Sequence, residues 1–224
     1  MADLVLGLLI ATVRRLPQAD RYLREGRWPS GAFPLSATLR ERKVGILGLG
    51  RIGKALARRL EACDLKIEYH GRTPQPDVKY RYHPTLLGLA TSCDVLIVMA
   101  SGGAQTRHIV NRDVLEALGS NGILINVGRG SVVDEVALVQ ALQDQRILGA
   151  GLDVFEDEPR VPAELIAMEQ VVLLPHVGSG TAHTRQAMGR LMVDNLVSWF
   201  SGKGAITPVP ESKALALSQG RARG

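Results

Sequence analysis

The feature that most constrains this chain is a series of short apolar runs, most of them closed by glycine, proline or a polar residue. Lys43–Leu47, Leu65–His70, Asp94–Met99, Ile123–Val127, Ala150–Val154 and Val171–Leu174 are too short for helices and read as buried strands. Among them, Ile52–Ala62, Pro84–Ala90, Asp113–Leu118 and Asp134–Asp144 carry helical spacing, as in Ile52, Leu56 and Leu60. Strands alternating with helices imply right-handed crossovers and an α/β fold, a doubly wound, mainly parallel sheet with helices on both faces. Composition supports this at one point: aromatic residues are 4% against 46% hydrophobic, so the core is aliphatic. Strands covered on both faces need that kind of core.

The chain ends are read separately. Ala2–Leu16 is helical, with Asp3 in its first turn, Arg14 and Arg15 in its last, and Pro17 beyond. Its centre is apolar almost all round and needs cover on more than one side, which points to a partner subunit or another segment. A loop follows through Gly26–Pro34, and the last long helix covers Thr181–Phe200. Leu4–Val13 is too short to span a bilayer, and its basic residues follow it, so it is a buried helix rather than a targeting signal. The net charge of +5 is scattered, with no basic stripe interleaved with aromatics. That argues against nucleic acid and suits a small anionic ligand. Cys63 and Cys93 lack metal-ligand spacing and read as reduced, partly buried thiols of a cytoplasmic protein, with no metal site.

Gly48-Leu49-Gly50-Arg51-Ile52-Gly53 follows the first apolar strand and opens a helix. A G-x-G-x-x-G pattern alone is weak; in that context it marks the phosphate turn of a Rossmann dinucleotide-binding fold. Gly48 permits the tight turn, Gly50 lets backbone approach a pyrophosphate, and Gly53 lets helix and strand pack closely. The helix N-terminus adds free N–H groups and a positive dipole end. Glu68 lies at the nominal distance for an acid that bonds the ribose 2′-hydroxyl of NAD, but inside the strand rather than at its tip. The tip is His70-Gly71-Arg72-Thr73, where Arg72 and Thr73 can bond a 2′-phosphate and nothing acidic repels it. NADP(H) is therefore favoured, with NAD(H) possible; Arg72 as a solvated loop cation is the other reading. His70 is placed near the adenosine side.

Three more segments stand at strand ends, where open α/β sheets bind ligands. They are Asn126-Val127-Gly128-Arg129-Gly130, Gly151-Leu152-Asp153-Val154-Phe155-Glu156-Asp157-Glu158-Pro159 and Leu174-Pro175-His176-Val177-Gly178-Ser179. With these the chain resembles the D-isomer-specific 2-hydroxyacid dehydrogenase family, from Ala2-Asp3-Leu4 through Pro208. It is most similar there to the glyoxylate, hydroxypyruvate and hydroxyphenylpyruvate reductases, a largely NADPH-preferring group. The resemblance implies catalytic roles for three residues. Arg129 would hold the substrate's carboxylate and carbonyl, His176 would be the general acid/base, and Glu158 its partner. It also implies that Asp153 binds the nicotinamide amide. Val127, Gly128, Arg129, His176 and Gly178 would line the cofactor cleft, with Thr106 and Ser179 beside them.

These residue types suit the reaction. Reduction of a 2-keto acid delivers a hydride to the carbonyl carbon and a proton to its oxygen, and an imidazolium supplies that proton near neutral pH. A carboxylate beside the ring favours its charged form. An arginine forks onto a carboxylate while polarising the adjacent carbonyl. The resemblance also implies a front lobe with a carboxylate-binding loop, and this chain begins past it. The expected organisation is therefore a cofactor domain over 1–177, with 1–16 as an interdomain or dimer helix. Residues 178–210 would return toward a substrate domain of which only a remnant is present, and 211–224 would be a frayed tail. The expected protein is a homodimeric reductase of small 2-keto acids, with neither nucleic-acid nor membrane partners. The competing expectations are a stand-alone dinucleotide-binding module without turnover and a corepressor relative of the same family.

Overall fold

A computed structural model describes residues 1–209 and Ser212. The expectation of a frayed tail over 211–224 lies, Ser212 apart, outside the described residues. The chain separates into one compact unit over Met1–Gly178 and another from Ser179 onward.

The first unit opens with α1 (Ala2–Arg14) and α2 (Leu16–Arg24), then runs β1 (Lys43–Leu47), α3 (Arg51–Glu61), β2 (Lys66–His70) and β3 (Arg81–His83). It continues through α4 (Leu86–Ser92), β4 (Val95–Val98), α5 (Arg112–Leu118), β5 (Ile123–Asn126), α6 (Glu135–Gln143), β6 (Gly149–Leu152), α7 (Ala163–Ala167) and β7 (Val171–Leu173). Among the described residues the seven strands form one sheet in the order β3-β2-β1-β4-β5-β6-β7, every pair parallel. The order reverses between β1 and β4, so a crevice opens above the carboxyl ends of those strands.

Both faces are covered, as strands with every residue buried require. One face packs Leu89 of α4, Leu115 of α5 and Leu138 and Leu142 of α6 against Leu96, Val98 and Leu124. The other packs Val5, Leu8 and Leu9 of α1 and Leu56 and Leu60 of α3 against Val44, Ile46, Ile97 and Ile125. Gly151 of β6 permits the close approach of α1, because a Cβ there would stand 2.5 Å from Thr12 Oγ1 and 2.9 Å from Leu8.

Several expectations are corrected. α1 ends at Arg14 because Arg15 turns left-handed (φ 51°), and Pro17 does not close helical structure there. It stands in the first turn of α2, where its missing N–H would have had no partner. The apolar girth of α1 is met inside its own unit: Asp3, Gly7 and Arg14 are its exposed positions. Exposed apolar side chains lie further on, at Leu23, Trp28 and Leu35, the last 99% exposed. Cys93 is buried and its thiol is pushed up to about 12 by that burial, whereas Cys63 is exposed rather than partly buried. Strand β3 and helix α7 were not foreseen.

The second unit contains α8 (Ala182–Phe200), capped by Thr181, whose hydroxyl accepts the Thr184 N–H at 3.1 Å. None of its residues is buried. Met188, Leu191, Met192, Leu196 and Trp199 line an apolar trough of about 510 Å³. Among the described residues no helix is long and apolar enough to cross a membrane, and no group of three or more His, Cys, Asp or Glu side chains could hold a metal ion.

Candidate active site

A cleft of about 910 Å³ opens above β1 and β4. Gly48, Gly50, His70, Gly71, Arg72 and Thr106 line it. Gly48 is left-handed (φ +98°), so the turn after β1 needs glycine. A Cβ on Gly53 would stand 2.7 Å from the Gly48 carbonyl oxygen, so that glycine lets α3 start directly under the turn. At Gly50 a Cβ would meet nothing within 4 Å. The residue opens onto free space at the head of α3, whose first turn has no side-chain cap. Unfilled room above uncapped N–H groups fits the phosphates of a dinucleotide. Arg51 and Ile52 are exposed in that first turn and do not form the cleft wall.

The second-strand tip separates the two cofactor readings. Glu68 is turned away from the tip: its carboxylate accepts from Ser92 Oγ and pairs with His83 Nε2 at 2.6 Å. Burial pushes the Glu68 carboxyl up, but the Ser92 and His83 hydrogen bonds and nearby Arg81 bring it below the usual carboxylate range. It is committed to the sheet edge. His70 and Arg72 line the cleft, while Thr73 is exposed and outside the wall. His70 Nδ1 lies 2.8 Å from the His83 carbonyl oxygen, an acceptor, so that nitrogen carries the hydrogen and donates. Gln75 was missed by sequence reasoning. Its side chain donates to the Leu49 carbonyl at 2.8 Å and its N–H to the Tyr69 hydroxyl at 2.7 Å, pinning the Arg72 loop to the glycine turn.

The candidate catalytic set, Arg129, Glu158 and His176, gathers beyond the other lip. Ala100 and Gly102 in the cleft wall lie against Gly128 and Arg129: a Cβ on Gly128 would stand 2.5 Å from the Ala100 oxygen, and one on Gly102 3.1 Å from Arg129 Cγ. A Cβ on Gly130 would overlap the backbone of Phe155, so the Arg-Gly pair sits directly on the loop that carries Glu158. Val127 is buried behind this contact. Glu158 Oε1 accepts the Phe155 N–H at 3.0 Å, and Oε2 meets His176 Nδ1 at 2.7 Å. Burial pushes the Glu158 carboxyl up, yet the His176 and Phe155 hydrogen bonds and the Arg129 charge bring it below its ordinary value. A carboxylate only accepts, so His176 Nδ1 donates and the other ring nitrogen is left to exchange protons.

His176 is left-handed, with φ 52°. Asp153 lies beneath it with no exposure, its two carboxylate oxygens accepting the Val177 and Gly178 N–H groups at 2.8 Å each. The resemblance gives Asp153 to the nicotinamide amide; in the structure each of its oxygens accepts one N–H of this loop and keeps a further lone pair. The Thr106 hydroxyl donates to Ser101 and Gly103 oxygens, shaping the cleft wall, and Ser179 opens the second unit. Sequence reasoning gave Glu156 no role. It pairs with Arg107 at 2.6 Å and His108 at 2.8 Å, tying the Glu158 loop to the cleft-lip loop, and its N–H donates to Glu135. Only these loops folded side by side reveal that link.

Comparison with known proteins gives the chain's family and relatives. Residues 6–178 match the family described as D-isomer specific 2-hydroxyacid dehydrogenase, NAD binding domain. A glyoxylate/hydroxypyruvate reductase of Arabidopsis thaliana is 54% identical over 209 residues, covering 93% of this chain and 67% of the relative. A hydroxyphenylpyruvate reductase of Plectranthus scutellarioides is 50% identical with the same coverage. Among solved structures, an NADPH-dependent glyoxylate/hydroxypyruvate reductase of Sinorhizobium meliloti, in complex with NADP and malonate, superposes with TM-score 0.92. It is 58% identical, and the match covers 94% of this chain and 67% of that one. The chain thus spans about two thirds of the length of these relatives.

Proposed function

The chain belongs to the D-isomer-specific 2-hydroxyacid dehydrogenase family of NAD(P)-dependent oxidoreductases, and on that footing we propose that it binds NADP(H) and carries the proton-transfer half of a 2-keto acid reductase. The substrates proposed are glyoxylate, hydroxypyruvate or hydroxyphenylpyruvate, which the relatives' names mention. The observation that carries the reading is the His176–Glu158 pair, 2.7 Å apart, held near Arg129 at the carboxyl end of the sheet.

The nicotinamide, when bound, exchanges a hydride with the carbon that is carbonyl in the keto acid and carbinol in the product. Every other task falls to this chain. Gly48, Gly50 and the head of α3 receive the phosphates, with Arg72 as the counter-charge for a 2′-phosphate. Arg129 binds the substrate's carboxylate and polarises its carbonyl. His176, tethered through Nδ1 to an ionised Glu158, gives its other ring proton to the carbonyl oxygen during reduction and takes it back during oxidation. Glu158 fixes the ring's orientation and its Nδ1–H tautomer. The exposed apolar face of α8 supports the idea that a substrate-binding lobe completes the enzyme.

Fluorescence titration of the chain tests the cofactor assignment: NADPH should bind more tightly than NADH, and Arg72→Ala should narrow the gap. Equal affinities in the wild type would reject it. Supplied with a front lobe, the chain should reduce glyoxylate or hydroxypyruvate, and His176→Ala should abolish turnover. NADPH binding with no turnover in that longer protein would leave the dinucleotide-binding module instead.

A further inference from the structure

We propose that Glu68, His83 and Ser92 form a positioning clamp for the adenosine end of the cofactor cleft: they hold the edge strand β3, and β3 sets the ring of His70 in the cleft wall. The inference rests on NADP(H) binding in this cleft, as proposed above. It begins with the weakness of β3. That strand has three residues, Arg81–His83, and pairs with β2 alone. Pairing this short and one-sided gives a strand little hold on its sheet. Yet Tyr82 and, just past the strand, Pro84 and Leu86 stand in the cleft wall with His70 and Arg72. The wall at that end needs an anchor beyond its ladder.

A nearly buried carboxylate supplies it. Glu68 Oε2, on β2, meets His83 Nε2 of β3 at 2.6 Å and Ser92 Oγ at the end of α4. A carboxylate only accepts, so both partners donate and His83 carries its hydrogen on Nε2. The His83 side chain is 8% exposed and that of Glu68 13%, so little water competes for these bonds. Helix α4 closes over the ring, since a Cβ on Gly88 would stand 3.7 Å from His83 Nδ1. Three elements are thus tied at one carboxylate. The main chain of the same histidine carries the effect to the ligand side. The His83 carbonyl accepts the His70 Nδ1 hydrogen at 2.8 Å. Tyr82 stacks on the His70 ring, with centroids 6.3 Å apart and planes 24° apart, and its hydroxyl donates to the Gly71 carbonyl. His83 is gripped by its side chain and grips His70 by its backbone. With Nδ1 so engaged, Nε2 is the ring nitrogen left for a ligand. Glu68, turned away from the strand tip, acts on the adenosine end through this relay.

The experiment compares the purified wild-type chain with His83→Ala and His83→Gln. It reads the NMR resonance of the His70 Nδ1 hydrogen, amide exchange in β3, and titrations with NADPH and with adenosine 2′,5′-bisphosphate, which probes that end alone. In His83→Ala the His70 signal should be lost and the β3 amides should exchange at least about tenfold faster. Both ligands should bind about tenfold more weakly. The His176 Nδ1–H signal, at the other lip, should persist, which separates this effect from a general loss of structure. The amide nitrogen of His83→Gln can donate to Glu68 again and should bring both affinities back to within about threefold of wild type. Unchanged affinities in His83→Ala would overturn the proposal whatever the His70 signal does, as would a folded His83→Gln that binds no better than His83→Ala. Should His83→Ala not fold, exchange in the wild type decides: a protected His70 Nδ1 hydrogen and protected β3 amides support the clamp, and rapid exchange rejects it. A wild-type chain that fails to bind NADPH would sink the cofactor reading while leaving the His70 and exchange measurements to test the clamp.

Discussion

Glu158 sits where opposing influences meet, and the balance has a pH signature. Burial favours its neutral form, while the His176 ring, the Phe155 amide and the Arg129 charge favour the carboxylate and prevail. A carboxyl lowered in the folded state stabilises the fold above its unfolded value, and that contribution is lost as pH falls through the lowered one. Glu158→Gln should therefore destabilise the chain at neutral pH, by no more than about 1 kcal/mol because the pair is partly solvated. The difference from wild type should close in acid. Urea unfolding at two pH values measures it, and a gap independent of pH would refute the pairing. Glu135 has the opposite sign. Burial first, then the charges of Glu156, Asp157 and Glu158, push its carboxyl up against the pull of the Glu156 amide. Its charge is a penalty above the raised value, relieved as pH falls through it. Glu135→Gln keeps an acceptor for the Glu156 N–H and should raise the melting temperature at pH 7 by about 2–4 °C, an advantage that fades in acid. Glu158 was legible because a motif carries it. Glu135 and Gln75 were not, since their roles depend on loops brought together by the sheet.

Among the elements, every strand with neighbours on both sides was legible, as was the apolar edge strand β7, whereas the other edge, β3, was not. β4 and β5 are apolar at nearly every position because both faces are covered. β3 is Arg81-Tyr82-His83, an edge strand paired on one side, so nothing forces an apolar run. α2 was hidden by Pro17, which opens a helix as readily as it follows one. α7 has five residues, too few to show a period. Glycines at two junctions make contrasting predictions. Gly130→Ala should lower stability by about 3 kcal/mol or more, since its Cβ has nowhere to go beside Phe155. Gly50→Ala should leave the melting temperature nearly unchanged while weakening NADPH binding, because its added methyl enters open space that the phosphates would need. Calorimetry and titration on both variants read the contrast; matching losses of stability would show that Gly50 is merely structural.

At the scale of the whole molecule, the reason for expecting a dimer has moved. The argument from α1 no longer serves, since that helix is covered by its own sheet and α3. Exposed Leu23, Trp28 and Leu35 on the segment after it carry the expectation instead. Light scattering should give twice the mass of one chain, and Leu35→Asp should shift it toward one; a monomeric wild type would remove the expectation. The burial of α1 against the far strands has a consequence for synthesis. The Gln18 side chain bonds the Val171 carbonyl across 153 residues, and Leu8 and Thr12 rest on Gly151. A ribosome adding about 5–20 residues per second takes about 8–30 s to cover that span. Until that span is complete, the part of α1 that rests on β6 and β7 has no cover, so the chain carries an unpaired apolar stripe through much of its own translation.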